Sequence, residues 1–257
     1  MKTLITTVFL FTLLLSCTSK MDFHHNKIIA HRGAWKNLDL PQNSLASLER
    51  AVELGCEGSE FDVWMTADSV LVVNHDADFE GLIIEESTYE QLLSKKHNNG
   101  ESIATVEEYL KKGMEQTTTK LIFEIKPSKI STERSEYIAE KSVRTVQDLN
   151  AEKWVDYITF SYEGGLRAIA LDPTANVAYL SGDKSPAALK DAGFFGFDYN
   201  IKLLRQKPEW IKEAQALGLT VNAWTVNNKE DMQWLLQQNV DFITTDEPEM
   251  LFNLINE

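Results

Sequence analysis

From Ile28 onward the chain repeats one unit, a short apolar run followed by a longer amphipathic stretch. The apolar runs cover residues 27–31, 58–65, 120–127, 157–161, 177–180, 195–198, 220–225 and 241–246. Helical patterns lie between them at residues 43–55, 106–114, 134–149, 164–171, 186–192, 207–217 and 229–238, and a last one starts at Pro248. Strands that alternate with helices run parallel, because each helix carries the chain back to the same end of the sheet. Eight such units in a chain of 257 residues predict a (β/α)8 TIM barrel. A doubly wound open sheet uses the same alternation, but no Gly-rich phosphate loop follows the first strand. One interruption is expected. Residues 70–75 should fold back on the second strand as a hairpin across the turn Ala67-Asp68-Ser69. Residues 77–104, helical at 88–93, then make a short insertion after the second strand region.

The stretch Gly58-Ser59-Glu60-Phe61-Asp62-Val63-Trp64-Met65 carries the chemistry. Strand side chains alternate between faces, so Glu60 and Asp62 share one face and Phe61 and Val63 the other. Paired carboxylates on a buried strand repel each other and are costly to desolvate. A hard divalent cation that prefers oxygen ligands, Ca²⁺ or Mg²⁺, would compensate.

Barrel active sites lie at the C-terminal ends of the strands. The first strand ends there in His31-Arg32, the hairpin strand in His75-Asp76, and the eighth strand in Asp246. The third strand brings Glu124 and Lys126, and the seventh Trp224. Plainer roles compete: Asp246, before Glu247-Pro248, is read as a helix N-cap, Asp76 as a residue that orients His75, and Lys126 as a surface side chain reaching past a strand end. Their convergence suits phosphoryl transfer. Three carboxylates would hold one cation, Arg32 and Lys126 would donate to a phosphate, and His31 and His75 would exchange protons with the attacking and leaving oxygens.

The net charge of −14 argues against a nucleic-acid partner, which calls for a basic patch. Residues 1–17 read as a lipoprotein-type signal peptide. Lys2 supplies the positive start, an apolar run follows, and Leu14-Leu15-Ser16-Cys17 resembles a lipobox whose Cys becomes lipidated. That implies a membrane attachment through Cys17 in a bacterial cell envelope, periplasmic or surface-facing. Residues 18–27, with the pair His24-His25, read as a tether, and residues 28–257 as the barrel domain. With Cys17 acylated, Cys56 has no disulfide partner and is expected to be a small buried apolar residue.

Seven motifs, in order, resemble the glycerophosphodiester phosphodiesterase family: His31-Arg32-Gly33, Pro41-Gln42-Asn43-Ser44, Glu60-Phe61-Asp62-Val63, Leu71-Val72-Val73-Asn74-His75-Asp76, Phe123-Glu124-Ile125-Lys126, Ala223-Trp224-Thr225-Val226-Asn227 and Thr244-Thr245-Asp246-Glu247-Pro248. The resemblance spans His31 to Pro248. It implies a (β/α)8 barrel with a small insertion. The implied reaction is metal-dependent cleavage of glycerophosphodiesters to sn-glycerol 3-phosphate and an alcohol. Glu60, Asp62 and Glu124 would be the metal ligands, His31 and His75 the acid–base pair, Arg32 and Lys126 the phosphate donors, and Trp224 a pocket wall. The chain departs from the family at Gln42, where a Glu is usual, and over residues 77–84, on the leaving-group side. Other readings are a phospholipase D-like lyase acting on (lyso)phospholipids, a barrel enzyme using Lys126 as a Schiff-base nucleophile, and a non-catalytic lipoprotein that binds a phosphorylated ligand.

Overall fold

The computed structural model describes residues 20–256. The signal-peptide segment and Cys17 lie outside the described residues. Eight strands form the barrel: β1 (Ile28–Ala30), β2 (Gly58–Met65), β3 (Lys120–Ile125), β4 (Val155–Thr159), β5 (Val177–Tyr179), β6 (Gly196–Asn200), β7 (Thr220–Trp224) and β8 (Phe242–Thr245). Each runs parallel to the next, and β1 closes the barrel against both β8 and β2. The predicted architecture is therefore the observed one.

Local chemistry sets the element ends. The first helix, Leu45–Leu54, starts at Ser44, whose hydroxyl accepts from Ser47 N while the Ser47 hydroxyl accepts from Ser44 N. It stops at Gly55, held at φ 77°, a left-handed conformation that suits glycine. The helix read over 207–217 is present as Glu209–Leu217, and a short helix not read from the sequence, Ile201–Gln206, precedes it, with Pro208 between them. Proline has no N–H to continue the first helix. The first of the pair starts directly off β6, capped by the Asn200 side chain, which accepts from Lys202 N.

Apolar side chains fill two layers. Phe61, Val63, Phe123, Tyr157, Phe197 and Tyr199 point outward into the core shared with the helices. Ile29, Ile122, Ile158 and Leu180 point inward and plug the lumen. This plug raises the floor on which the polar side chains of the barrel mouth stand. Gly196 lets β6 lie close to β7: a Cβ there would stand 2.2 Å from the Thr220 carbonyl oxygen.

The strand Leu71–Val73 pairs antiparallel with the end of β2, Val63 opposite Val73, as the hairpin reading required. The insertion that follows holds a two-stranded ribbon, Asp78–Phe79 with Leu82–Ile83, and the short helix Tyr89–Leu92. It has a small core of its own, built on Trp64, Val72, Phe79, Ile84, Leu92 and Ile103. Buried Glu85 ties it to the barrel, accepting from Ser128 Oγ, Lys129 N and Arg134 Nε at 2.6–2.9 Å.

The segment read as a tether is docked from Asp22 on. Asp22 N and His24 N donate to the carbonyls of Thr117 and Thr118, and Lys27 Nζ donates to the Val240 carbonyl at 2.6 Å. These contacts cover the N-terminal end of the barrel. No helix of the described residues is long and apolar enough to cross a membrane. Cys56 is a free, buried thiol.

Candidate active site

Strand register assembles the acidic centre. β2 lies beside β3 with Asp62 opposite Glu124, so both project into the lumen from one level, and Glu60 projects from two residues earlier. One carboxylate oxygen from each lies within 4.8 Å of the others. The three side chains are buried, with Glu60 at 2% and Asp62 at 1% exposure.

Neighbours hold them from outside the cluster. Arg32 sits at φ 59°, which turns its backbone N–H onto Glu60 Oε2 at 2.8 Å. Asn43, at φ 58°, clasps Asp62 twice: its amide donates to Asp62 Oδ2 at 2.8 Å and its carbonyl accepts from Asp62 N at 2.9 Å. Left-handed backbone at residues other than glycine costs energy and persists where surrounding contacts enforce it.

The inner oxygens are differently placed. Asp62 Oδ1 and Glu124 Oε1 meet the Lys126 ammonium at 2.5 and 2.7 Å, close ion pairs that fall outside hydrogen-bond geometry. Glu60 Oε1 meets no donor among the described residues. Buried oxygens without donors are a cost that a cation offsets. An all-carboxylate donor set fits Ca²⁺ or Mg²⁺ rather than a softer metal.

Electrostatics follow from this crowding. Burial, then the charges of Asp62 and Glu124, push Glu60 well above the ordinary carboxyl range. Burial and Asp62 push Glu124 up to about 8. Burial pushes Asp62 the same way, but Lys126, His75 and Arg32 outweigh it and hold Asp62 low. Burial would lower Lys126, yet Asp62 and Glu124 outweigh it and raise Lys126, so its amine stays protonated. A clamped ammonium is no nucleophile, which removes the support for the Schiff-base reading.

Both histidines stand at the rim, each beside a carboxylate. His31 Nδ1 lies 2.7 Å from Asp246 Oδ1. Asp246 was expected to cap the last helix. Its side chain turns instead to His31 and to Asn227, whose amide donates to Oδ2 at 2.6 Å, while the Asn227 carbonyl accepts from Asp246 N at 2.9 Å. Burial raises the Asp246 carboxyl, but the His31 contact overrides it and holds the group below the usual range. His75 Nδ1 lies 2.7 Å from Asp76 Oδ1, which is the orienting role read from the sequence. Burial, its largest influence, lowers the His75 imidazole below 6.5.

Two cavities meet at this rim. The inner one, about 200 Å³, has His31, Arg32, Glu60, Glu124 and Lys126 on one side and Ile158, Phe160, Leu180 and Trp224 on the other. Trp224 is thus a pocket wall, fixed by its indole N–H donating to the Asp198 carbonyl at 2.8 Å. The outer cavity, about 680 Å³, shares Arg32 and His75 and opens over the insertion, with Trp35, Gln42, Phe79 and His97 on its walls. Gln42 accepts from Arg32 Nη1 at 2.6 Å, so the residue that departs from the family pattern still positions the guanidinium, whose countercharge is Asp62, with Oδ2 3.6 Å from Arg32 Nε.

The structure therefore brings His31, His75, Arg32, Lys126, Trp224, Glu60, Asp62 and Glu124 to one site. Asn43, Asn227, Asp246 and the buried Asp198 belong to it as well. Asn43 and Asn227 lie inside motifs quoted from the sequence but carry no signal of their own there, since their partners are set by the fold.

The sequence profile of the Glycerophosphoryl diester phosphodiesterase family matches residues 31–250. A glycerophosphodiester phosphodiesterase of Caldanaerobacter subterraneus is 30% identical over 249 residues, covering 90% of this chain and 98% of the relative. A crystal structure of a glycerophosphodiester phosphodiesterase from Parabacteroides distasonis superposes with a TM-score of 0.87 at 43% identity, covering 91% of this chain and 98% of that one. An Oleispira antarctica phosphodiesterase, solved with the product sn-glycerol-3-phosphate, shares the fold with a TM-score of 0.76 at 22% identity, covering 90% and 97%.

Proposed function

The chain belongs to the glycerophosphoryl diester phosphodiesterase family and is a phosphodiesterase, and on that premise we propose how its site works and where it works. The substrate is a glycerophosphodiester, cleaved to sn-glycerol 3-phosphate and an alcohol. The observation that carries the reading is the buried Glu60, Asp62 and Glu124 cluster, with Glu60 Oε1 lacking a donor and the other two inner oxygens sharing the Lys126 ammonium, set between two histidines that each have a carboxylate on Nδ1.

Glu60, Asp62 and Glu124 hold a divalent cation, Ca²⁺ or Mg²⁺. When bound, the cation polarises the phosphate and stabilises the charge that builds on it. Arg32 and Lys126 add donors to the same phosphate. His75, kept neutral by its burial, takes the proton of the attacking hydroxyl or water through Nε2. His31, with Nδ1 turned to an ionised Asp246, gives a proton from Nε2 to the departing alkoxide. The constant glycerol arm enters the small inner cavity, and the alcohol leaves through the large outer one.

The test is release of sn-glycerol 3-phosphate from glycerophosphocholine and glycerophosphoethanolamine, with Ca²⁺, with Mg²⁺ and with EDTA. Release with a divalent ion and its loss in EDTA are expected. Turnover that survives exhaustive chelation would remove the metal from the proposal. Release of a cyclic lysophosphatidate from lysophospholipids, with none of the glycerol phosphate, would replace hydrolysis with the lyase reading.

The proposal extends to location. Leu14-Leu15-Ser16-Cys17 supports lipidation at Cys17 and attachment to a bacterial envelope membrane. The full chain expressed in a bacterial host should partition into detergent on Triton X-114 phase separation, and Cys17→Ser should move to the aqueous phase. Equal partitioning of the two would sink the anchor.

A further inference from the structure

Among the described residues, Asp198 is the one acid of the barrel mouth with neither a cation nor a hydrogen-bond donor to answer it. It projects inward from β6, is 1% exposed, and lines the inner cavity with Glu124 and Trp224. Its Oδ1 is buried without a partner among the described residues. Its strand neighbour Asn222 could have supplied a donor, but the Asn222 amide is spent on Thr244 Oγ1 at 2.9 Å. Nor does Asp198 belong to the group of carboxylates close enough to share a metal, which among the described residues comprises Glu60, Asp62 and Glu124. An unpartnered carboxyl in a lumen of isoleucine and leucine is costly, and buried polar groups of this kind are usually answered.

The cavity states what would answer it. Around Asp198 the walls are Ile158, Phe160, Leu180 and the Trp224 ring, a lining for C–H groups. The opposite wall carries the phosphate machinery. A small molecule with a phosphate at one end, a short carbon chain and a hydroxyl at the other end matches this distribution. Burial, then the nearby Glu124 charge, raise the Asp198 carboxyl well above its ordinary range. A carboxyl oxygen accepts from an alcohol O–H in either protonation state, which is the partner Oδ1 lacks.

Resting on the hydrolase reading above, we propose that Asp198 is the residue that receives a free hydroxyl of the glycerol arm, and so selects glycerol esters over phosphodiesters whose retained arm lacks that hydroxyl. A site built around a substrate hydroxyl discriminates strongly against the analogue without it, because the analogue leaves the buried group unpaired.

The experiment compares two ligands, sn-glycerol 3-phosphate and n-propyl phosphate, which differ by the two hydroxyls. Both are titrated calorimetrically into the full chain with Ca²⁺ and, separately, with Mg²⁺. The wild type should bind the glycerol ligand about 10- to 100-fold more tightly. Asp198→Leu, which replaces an unpaired polar group by an apolar one of similar size, should bring that ratio to about 1, with the glycerol ligand bound more weakly and propyl phosphate bound no more weakly than by the wild type. Asp198→Asn, which keeps a donor and an acceptor, should preserve most of the preference. An unchanged ratio in Asp198→Leu would overturn the proposal and leave Asp198 a structural residue. Equal wild-type affinity for the two ligands, together with absent turnover of glycerophosphocholine, would overturn the substrate reading itself. Equal affinity with normal turnover would overturn only the role of Asp198.

Discussion

Replacing His31 with alanine should lower kcat on glycerophosphocholine by about 10²- to 10⁴-fold, the usual contribution of a general acid or base, while thermal unfolding stays close to wild type. The imidazole sits at the rim, lines the inner cavity and makes its polar contact with Asp246, so little folding energy rests on it. Asp246→Asn should approach the same loss, because an amide no longer offers the anionic acceptor that holds the ring by Nδ1–H and turns Nε2–H toward the leaving oxygen. Asp76→Asn should cost much less. The Asp76 side chain is 74% exposed, where water can replace it, whereas Asp246 is 17% exposed and pinned by Asn227. His75→Ala should lose as much as His31→Ala. The pH profile separates the two roles. A proton acceptor must be neutral, and burial lowers His75 from 6.5, so the acidic limb of kcat/KM should lie below pH 6.5. A cation at the carboxylate cluster would push His75 further the same way, so the sign holds with metal bound. A His31→Ala enzyme retaining a tenth of wild-type kcat would end the assignment.

The barrel was legible because its signal is distributed. Eight apolar runs, each with its following helix, leave few ways to bury both faces of every strand. The acids of β2 were legible too, since an i,i+2 pair must share a face whatever its neighbours. What the sequence could not supply was register and distance along the chain. Asp246 stands directly before Glu247-Pro248, a local pattern that suits a cap, yet its partner His31 lies 215 residues away. Asn43 looks like a polar helix start, but Ser44 caps the helix and Asn43 is left to clasp Asp62. Asp198 offered no pattern at all. Its position at the mouth depends on β6 pairing with β7 so that Asn222 stands beside it, and on Asn222 turning to Thr244. Residues 22–27 misled by composition: polar side chains suggested a tether, whereas backbone N–H groups and Lys27 dock the segment.

Stripping divalent ions with EDTA should leave a protein that loses stability as pH rises, the reverse of ordinary acid denaturation. In the folded state Glu124 keeps its proton up to about 8, against 4.5 in the unfolded chain. Below about 4.5 both states are protonated and the contribution is fully present. Between 4.5 and about 8 the unfolded chain gives up a proton that the folded one retains, so each step upward favours unfolding. Glu60, also raised, acts in the same sense, whereas His75 and His97, both lowered by burial, oppose it as pH climbs to about 6.5, so the loss is steepest above that. Asp62 is held low, so it is ionised in both states across this window and contributes no slope there. Adding Ca²⁺ or Mg²⁺ should restore stability most at the alkaline end, where the cation has fewest protons to displace. Lys126→Met sharpens the effect. It removes the only ammonium in contact with Asp62 and Glu124 among the described residues, leaving Asp62 to the more distant Arg32 guanidinium and to Asn43, a loss of about 3 kcal/mol. Saturating cation should recover much of that stability but not turnover, since the phosphate has lost a donor. Urea unfolding from pH 4.5 to 8, with EDTA and with each ion, reads all of this. A metal-free profile that stays flat from about pH 6.5 to 8 would mean that the three carboxylates are not competing for protons in the folded protein, and the case for a cation among them would lose its electrostatic support.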